Sequence, residues 1–456
     1  MAGVSSEKTR VLIVGAGPAG LAAAQRLEQK GCGDWMIVER AAKPGGLSAS
    51  FRDAAGFTWD LGGHVIHSHY PEFTEFVAAT TDGALLEHQR RAFIRAAGRW
   101  VPYPFQNNLH HLPEEVREEC LEGMFEAREA SAGITSPPAS FGEWVDRSFG
   151  RGVAEHFMRP YNRKIWCREL GELSATWVGD RVSLPDLDRL AADVRAGRDD
   201  ASFGPNSTFT FPKSGGTGEL WRRAAEALPA GRIRYSTAAE APDLDAGECR
   251  LAGGGKIAYQ SLVWTAPLTE LAGDGLSGRL EHTSVEVLGL GLAGSPPPAV
   301  ADTCWAYFPD PAAPFYRVTV FSNYSPENVP RPGETWSLML EVARRPGWPC
   351  RIEELWPRVM KAVHATGLAP EEAGVLSRWH RTLPYAYPVP TPGRDEALAG
   401  IVPALEERGV YPRGRFGAWR YEVGNMDHCW MQGAEVADRI LEGRPETVLK
   451  PLDERD

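Results

Sequence analysis

The sequence predicts an α/β fold with a Rossmann-like dinucleotide-binding domain, an inserted helical domain and an antiparallel β-sheet domain. Three observations lead to this prediction. A glycine-rich turn joins an apolar strand to a helix near the N-terminus, amphipathic helices follow between residues 109 and 197, and short alternating strands occupy residues 285–342. The length of 456 residues suits about two to four domains.

The N-terminal unit has the order strand, turn, helix, strand. A β-branched apolar run at 10–14 leads through GAGPAG into the Ala-rich segment LAAAQRLEQKG, which favours a helix. A second buried strand at 35–38 ends at Glu39. The unit has the size expected of a βαβ dinucleotide-binding half.

The glycines of GAGPAG each have a predicted function. Gly15 permits the tight turn, Gly17 lets the backbone approach a pyrophosphate, and Gly20 lets helix and strand pack closely. Glu39 follows Gly20 by nineteen residues and is placed to accept hydrogen bonds from ribose hydroxyls. The alternative is a glycine turn in an ordinary α/β unit.

Two later glycine turns favour FAD over NAD. PGGLSAS and LGGHVIHSHY each offer a close approach of the backbone, which the greater length of FAD requires and a simple NAD domain does not. The alternative is that both are surface hairpins. The sequence thus predicts a Rossmann-like FAD-binding domain, with further cofactor contacts at Arg40, Gly46, Leu47, Gly62 and Gly63.

The spacing of apolar residues divides the rest of the chain into a helical region and a sheet region. LPEEVREECLEGMFEAREA, FGEWVDRSFGRGVAEHFMRPYNRKIW and LPDLDRLAADVRA are amphipathic and predict a helical domain at 108–205. VEVLGLGL, YRVTVFSNY and TWSLMLEVA predict the antiparallel sheet domain, assigned to 73–107 and 273–394. The C-terminal helix is apolar on one side and should pack on the first unit, so the FAD-binding domain is discontinuous and comprises 1–72, 206–272 and 395–456.

The composition limits which partners and which cellular compartment are expected for the protein. The chain has 60 acidic and 49 basic residues and a net charge of -11, which argues against a nucleic acid or an anionic membrane surface as partner. No run of 18 apolar residues suggests a membrane span, and the N-terminus lacks a signal-peptide pattern. Seven scattered cysteines without a C-x-x-C pair indicate a reducing compartment, so a cytoplasmic location is expected.

Several long blocks resemble one family, the UDP-galactopyranose mutases, and its eukaryotic-type branch in particular. The blocks are DLGGHVIHSHY, WVPYPFQNN, FMRPYNRKIW, GPNSTFTFPKSGGTGELW, CWAYFPDPAAPFYRVTVFSNYSPEN and GRFGAWRYEVGNMDH. The resemblance implies an FAD-dependent isomerase that interconverts pyranose and furanose forms of a UDP-hexose. It also implies that reduced FAD attacks the anomeric carbon, expels UDP and holds the sugar as a covalent adduct without net redox change.

The resemblance also implies roles for individual residues. Arg181 and Arg317 would bind the diphosphate, a task that suits guanidinium groups. Hydroxyl donors around it would be Tyr307, Tyr324, Tyr387 and Tyr421. The residues implied at the uracil are Tyr103, Gln106, Asn162 and Trp166.

Further matched positions lie near the sugar and the flavin. Asn206 matches a position near the sugar, Arg415 one near flavin and substrate, and His64 one beside the flavin. The C-terminal flavin contacts implied are Gly417, Asn425 and Met426. The catalytic set is therefore His64, Arg181, Arg317 and Arg415. The physiological reductant is left open, and any NAD(P)H that serves as external reductant is expected to act directly on FAD in the same pocket, since no second GxGxxG appears.

Two positions depart from the family pattern. His67 stands where the family has an aromatic residue, and Met426 stands where it has Gln. The segment after NYSPEN is also short for the eukaryotic-type branch, which leaves open whether the chain forms a homo-oligomer. Another UDP-hexose or a 6-deoxyhexose nucleotide remains open as substrate.

Three alternative interpretations lead to different predictions. His64, His67 and His69 form H-x-x-H-x-H, but no carboxylate or Cys is spaced with them and the matching stretch belongs to a metal-free family, so no metal is predicted. A net-redox oxidoreductase of the amine oxidase or desaturase type shares the glycine turns, yet paired Arg and Tyr positions suit a diphosphate better than an amine or polyene. A flavin-binding regulator without catalysis predicts no affinity for UDP.

Overall fold

A computed structural model describes residues 6–204, 206–272 and 279–450. The parts of the predicted domains at 1–5, 205, 273–278 and 451–456 lie outside the described residues. The strands are β1 (Ser6–Val14), β2 (Trp35–Val38), β3 (Ser50–Arg52), β4 (Thr58–Asp60), β5 (Leu85–Gln89), β6 (Ala92–Ala96), β7 (Arg99–Pro102), β8 (Thr208–Pro212), β9 (Ile233–Arg234), β10 (Glu248–Arg250), β11 (Lys256–Trp264), β12 (His282–Ala293), β13 (Trp305–Tyr307), β14 (Arg317–Val320), β15 (Thr335–Arg344), β16 (Val375–Pro388) and β17 (Val410–Pro412). The helices are α1 (Pro18–Gln29), α2 (Pro71–Thr81), α3 (Glu114–Ala130), α4 (Phe141–Val153), α5 (Arg159–Trp166), α6 (Leu187–Ala196), α7 (Gly218–Glu226), α8 (Leu268–Ala272), α9 (Ile352–Ala365), α10 (Arg394–Glu406), α11 (Gly414–Gly417) and α12 (Met426–Glu442).

The first sheet is the Rossmann-like unit. Its strand order is β10-β11-β1-β2-β9, and β17 also pairs with β11. The strands β17, β11, β1, β2 and β9 run parallel, and only the short β10 is antiparallel. The predicted strand at 35–38 coincides with β2, whereas β1 begins earlier than predicted because its N-terminal half continues to pair with β11.

The C-terminal helix packs on the N-terminal unit, as predicted. The contact between α1 and α12 is close because small residues face each other there: a Cβ on Gly433 would lie 2.0 Å from the carbonyl oxygen of Ala19. Val436 and Ala437 of α12 and Leu21 of α1 belong to one buried cluster. The two ends of the sequence therefore share a core.

The sequence placed the first domain boundary after residue 72, which falls inside α2. Phe73, Phe76 and Val77 of this helix lie in the same core cluster as α1 and α12. The rings of Phe76 and Trp430 stack 5.0 Å apart. Because its apolar face is buried against α7 and α12, α2 packs with the Rossmann-like unit.

The second sheet has the strand order β16-β12-β15-β14-β13-β6-β7. It is antiparallel as predicted, with one exception, the parallel pair of β6 and β13. Two small antiparallel pairs, β3-β4 and β5-β8, lie beside it.

The helical region contains α3, α4, α5 and α6, in agreement with the three predicted amphipathic segments. The predicted helix at 141–166 is interrupted, since Gly150 has a φ of 65° inside α4 and a π-helical turn precedes α5. A Cβ on Gly150 would lie 1.9 Å from the carbonyl oxygen of Gly123, so the kink lets α3 and α4 touch. Within the described residues, each helix is too short or too polar to cross a bilayer.

Candidate functional site

One cavity of about 1040 Å³ connects the Rossmann-like unit with the antiparallel sheet. Gly15, Gly17 and Glu39 line one end of it. Arg317 and Tyr421 line the other. The predicted dinucleotide turn and the predicted anion-binding residues therefore face a common space.

The glycine turn has the geometry predicted from its sequence. Gly15 has a φ of 102°, which disfavours any side chain. A Cβ on Gly20 would lie 1.9 Å from the carbonyl oxygen of Gly15, so α1 approaches the turn only because residue 20 is glycine. A Cβ on Gly46 would lie 3.3 Å from the Cα of Gly17, so the second glycine turn packs directly on the first.

Glu39 is held at the end of β2 by two backbone groups. The N–H groups of Ala16 and Ala41 each donate to one of its carboxylate oxygens at 2.7 Å. The side chain is buried yet lines the cavity. A carboxylate fixed in this way can accept hydrogen bonds from ribose hydroxyls.

These residues fit an adenine dinucleotide, and a cavity of about 1040 Å³ has room for FAD. Backbone without side chains at Gly15, Gly17 and Gly46 leaves space for a pyrophosphate at the N-terminus of α1. The cavity then continues past Leu47 to His64 on the opposite side. The residues that would hold FAD along it also include Arg40, Gly63, Asn425 and Met426.

Two predicted cofactor residues support the site without lining this cavity. A Cβ on Gly417 would lie 2.5 Å from the carbonyl oxygen of Trp264, so this glycine keeps α11 close to β11. Gly62 has a φ of 148° and lines a small neighbouring cavity together with His64 and Arg317.

Arg317 is held in place by Glu341, a residue that the sequence analysis missed. The Nε and Nη2 atoms of Arg317 donate to the two oxygens of Glu341 at 2.7 and 2.8 Å. The Tyr316 hydroxyl and the Gly63 N–H donate to the same carboxylate. Neither bond to Glu341 uses Nη1, so part of the guanidinium remains for an anion in the cavity.

The environment of Glu341 favours its charged form. Burial alone would raise its pKa, but Arg317 and the hydrogen bonds from Tyr316 and Gly63 outweigh it and hold the pKa below the usual value. Its signal in the sequence is an acidic residue in the interior of the apolar strand TWSLMLEVA, on the face that also carries Met339.

Phenols and a second guanidinium surround this ion pair. Tyr387 lies 3.2 Å from the Tyr316 hydroxyl, measured between the oxygens, and the Arg415 guanidinium lies 5.5 Å from the Tyr387 ring. Arg415 donates to the carbonyl oxygen of Gly424 at 2.9 Å. Burial raises the pKa of Tyr421, so this phenol stays protonated and can donate a hydrogen bond. The same holds for Tyr307, whose pKa burial also raises.

Asn206 lines the cavity and is held by Arg90, a second residue that the sequence analysis missed. Arg90 donates to Asn206 Oδ1 at 2.7 Å and to the carbonyl oxygens of Ala201 and Phe203 at 2.8 and 2.6 Å. Its guanidinium lies 4.8 Å from the Tyr103 ring. Arg90 thus connects Asn206, predicted near the sugar, with Tyr103, predicted at the uracil. The sequence could not indicate this, because Arg90 belongs to no recognisable motif.

His64 is a neutral imidazole at the centre of the site. Burial is the main reason why its pKa is lowered from 6.5 to about 4, and the positive charges of Arg415 and Arg317 lower it further. Its buried Nδ1 has no hydrogen-bond partner within the described residues.

Replacing His64 with Gln should make stability less sensitive to acid. The unfolded imidazole binds a proton near its ordinary pKa of 6.5 and the native one only near about 4, so native stability is lost as the pH falls through this window. Between about pH 7 and pH 5 the wild type should lose about 2 kcal/mol more than His64→Gln.

Urea unfolding of both proteins at each pH measures this difference. His156→Gln serves as the control, because it removes a histidine that lies outside the cavity lining, in a solvent-accessible pair with Glu119. Equal losses in wild type and His64→Gln would contradict a neutral buried His64.

Three of the residues predicted at the uracil, Tyr103, Asn162 and Trp166, lie next to the cavity and not in its lining. Tyr103 contacts Tyr307 at 5.8 Å between ring centroids, and Trp166 contacts Tyr421 at 4.9 Å. Asn162 accepts a hydrogen bond from Trp166 Nε1 at 3.2 Å. These residues form the layer directly behind the phenols.

Three other predicted residues have different surroundings. Gln106 is buried and donates to the carbonyl oxygen of Ser183 at 2.8 Å. Tyr324 lies in an aromatic cluster, with its ring 5.1 Å from Phe211 and its hydroxyl unpartnered within the described residues. Arg181 is exposed and donates to the backbone carbonyl of Glu422.

The fold and the cavity define a flavoprotein of the amine-oxidoreductase type. Residues 18–441 match the family described as flavin containing amine oxidoreductase. A putrescine oxidase structure is 16% identical, with a TM-score of 0.66 over 96% of this chain and 100% of that one. Cyclohexylamine oxidase from Brevibacterium oxydans is 14% identical, with a TM-score of 0.65 over 95% of this chain and 99% of that one. These two similarities show the shared fold.

A much higher similarity is found to the crystal structure of a reduced UDP-galactopyranose mutase. The two sequences are 42% identical over 98% of this chain and 97% of that one, with a TM-score of 0.92. The chain belongs to the UDP-galactopyranose mutase family, and it is an FAD-dependent isomerase.

Proposed function

We propose that the protein interconverts the pyranose and furanose forms of a UDP-hexose, with UDP-galactose as the first candidate. The observation that carries this proposal is the single cavity joining the dinucleotide turn at Gly15 to the Arg317–Glu341 pair. Two guanidinium groups would repel a cationic amine and offer no specific contact to a polyene, whereas a nucleotide diphosphate would bind to them and to the phenol hydroxyls.

The diphosphate would bind at the sheet end of the cavity. Arg317 would donate from Nη1, because Nε and Nη2 are committed to Glu341. Tyr307, Tyr387 and Tyr421 line this end of the cavity and would add hydroxyl donors to the anion. Charge accumulating on the leaving UDP would meet groups already oriented for it.

Three other predicted diphosphate and sugar residues, Arg181, Asn206 and Tyr324, differ in their access to the cavity. Arg181 lies near enough to Tyr421 to lower the pKa of that phenol, so it would reach the diphosphate from the surface side. Asn206 would face the sugar from the segment that Arg90 holds. Tyr324 would act only if its hydroxyl became accessible, since its ring is buried.

The uracil would lie toward the helical region. Tyr103 stands between Arg90 and Tyr307 and offers an aromatic face. Gln106, Asn162 and Trp166 would form the surrounding wall, with their polar atoms held by Ser183 and by one another.

FAD, when bound and reduced, would supply a nucleophile for the anomeric carbon and leave no net oxidation. His64 would pack beside the ring system as a neutral group, so it would not itself pair with the negative charge of reduced flavin. Arg415 and the N-terminus of α12 at Asn425 and Met426 would stabilise that charge instead. NAD(P)H would serve as external reductant, entering through the same cavity.

The net-redox alternative is not favoured, because the mutase similarity at 42% identity far exceeds that to the amine oxidases. A mutase acting on another sugar nucleotide, such as a 6-deoxyhexose, is the remaining alternative, since His67 lines the cavity. A cytoplasmic location is proposed from the acidic composition and the scattered cysteines.

A panel of nucleotide sugars tests the proposal. Dithionite-reduced protein should convert UDP-galactopyranose to a furanose product separable by anion-exchange chromatography, and oxidised protein should not. Conversion of a 6-deoxyhexose nucleotide in preference would reassign the sugar. Oxidation of any member of the panel without ring interconversion would contradict the proposal.

A further inference from the structure

Two adjacent histidines and an aspartate converge on the surface of the helical region, away from the cavity. His110 and His111 end a short turn at Leu109–His111, and Asp199 lies in the segment after α6. The Nε2 atoms of both histidines lie within hydrogen-bond distance of the same Asp199 Oδ1, at 2.9 and 2.7 Å. Their ring centroids are 4.2 Å apart.

We propose that His110, His111 and Asp199 form a binding site for a divalent transition-metal ion such as Zn²⁺. One ligand atom from each residue lies within 4.8 Å of the other two. Two imidazole nitrogens and one carboxylate oxygen are the donors that Zn²⁺ takes when it keeps a position for water. Metal bonds of about 2 Å place such ligands about 3.3 Å apart, so the carboxylate needs to retreat only slightly.

The accessibility of the three side chains suits entry of an ion. His110, His111 and Asp199 are 12%, 34% and 53% exposed. The imidazoles are therefore fixed against the protein, whereas the carboxylate can rotate to admit the metal. The open side leaves room for water as a further ligand.

Neighbouring hydrogen bonds hold the two segments at this separation. Asn108 is fully buried, donates to the carbonyl oxygen of Asp200 at 2.8 Å and accepts from the Asp200 N–H at 2.8 Å. Asn107 donates to the Asp200 carboxylate at 3.1 Å. These bonds connect the residues just before His110 with the residue just after Asp199, so the three ligands are preorganised.

The surrounding charges leave Asp199 available for a cation. Arg198 pairs with Asp193 at 2.7 Å, and Arg189 lies 3.5 Å from Asp193 and 3.8 Å from Asp200. Within the described residues, the recorded ion-pair partners of Asp199 are the two imidazoles.

Occupancy of the site would cross-link the segment that leads to Asn206. Residues 201 and 203 of this segment bind Arg90, which in turn contacts Asn206. An ion at Asp199 would restrain the segment at its start, as Arg90 does at its end. Binding of the ion by His110, His111 and Asp199 does not depend on the proposed reaction.

Zinc content and binding of the full-length, tag-free protein test the proposal. After dialysis against Zn²⁺ and then against metal-free buffer, the wild type should retain one Zn²⁺ per chain by mass spectrometry. Calorimetric titration should show affinity about tenfold or more weaker in His111→Ala and in Asp199→Asn. Zn²⁺ should also slow amide hydrogen exchange at 199–204 in the wild type alone.

His156→Ala is the matched control, because His156 pairs with Glu119 at 2.9 Å and, among the described residues, no third ligand completes a metal site there. It should bind Zn²⁺ as the wild type does. Flavin content confirms that each variant is folded. Absence of retained Zn²⁺ in the wild type, or equal retention in Asp199→Asn, would overturn the proposal.

Discussion

Replacing Arg317 with Lys is expected to lower kcat/KM for the UDP-hexose by about a hundredfold or more. Arg317 spans both oxygens of Glu341 and still has Nη1 for the diphosphate. An ammonium group is a compact point charge and cannot make the two-point contact while reaching the ligand. Steady-state kinetics of the reduced enzyme measure the loss, and most of it should appear in kcat, since the charge on UDP grows as the glycosidic bond breaks.

Arg344→Lys provides the matched control. Arg344 makes a similar pair, with Nε 2.6 Å from Glu286, and its side chain is 22% exposed compared with 21% for Arg317. Glu341, the partner of Arg317, and Arg344 are three positions apart on β15, so their side chains lie on opposite faces of the sheet. The control pair is therefore on the face away from the Arg317–Glu341 pair. Arg344→Lys should cost stability but leave kcat/KM near the wild-type value. Equal kinetic losses in both variants would show that Arg317 acts only through the fold.

Replacing Gly20 with Ala is expected to abolish stable retention of FAD. The new Cβ would lie 1.9 Å from the carbonyl oxygen of Gly15, which is backbone and cannot rotate away. The helix must therefore move off the turn, and the pyrophosphate loses the N-terminus of α1. Overpacking at such a contact costs about 1–3 kcal/mol or more. The ratio of flavin to protein absorbance in the purified variant measures the retention.

Gly400→Ala is the corresponding control for a glycine in a helix. Gly400 lies in α10, is exposed, and a Cβ there would meet no atom within 4 Å. Alanine should raise the free energy of unfolding by about 0.5–1 kcal/mol and keep the FAD content unchanged. Full flavin content in Gly20→Ala would refute the assignment of the glycine turn as the cofactor cradle.

The sequence was sufficient where function depends on local backbone geometry. The roles of Gly15 and Gly20 could be predicted individually because a tight turn and a close helix crossing each require glycine at a fixed spacing. Strand β2 and the amphipathic helices followed from periodicity for the same reason. These features depend on residues close together in the sequence.

The sequence was insufficient where partners are distant along the chain. Glu341 binds Arg317 and Gly63, and Arg90 binds Asn206, and only the folded sheets bring these residues together. The boundary after residue 72 was misplaced for a similar reason, because the apolar face of α2 is compatible with either neighbouring domain until its partners are known. The site assignments made by family resemblance remain predictions, and several of those residues lie behind the cavity wall.

Counting electrons during turnover tests the account most directly. Protein reduced anaerobically with one equivalent of dithionite should convert many equivalents of UDP-galactopyranose to the furanose while its visible absorbance stays bleached. That outcome requires the flavin to act without being consumed as a reductant. Return of the yellow colour with one reduced product formed per flavin would instead identify an oxidoreductase and contradict the central claim.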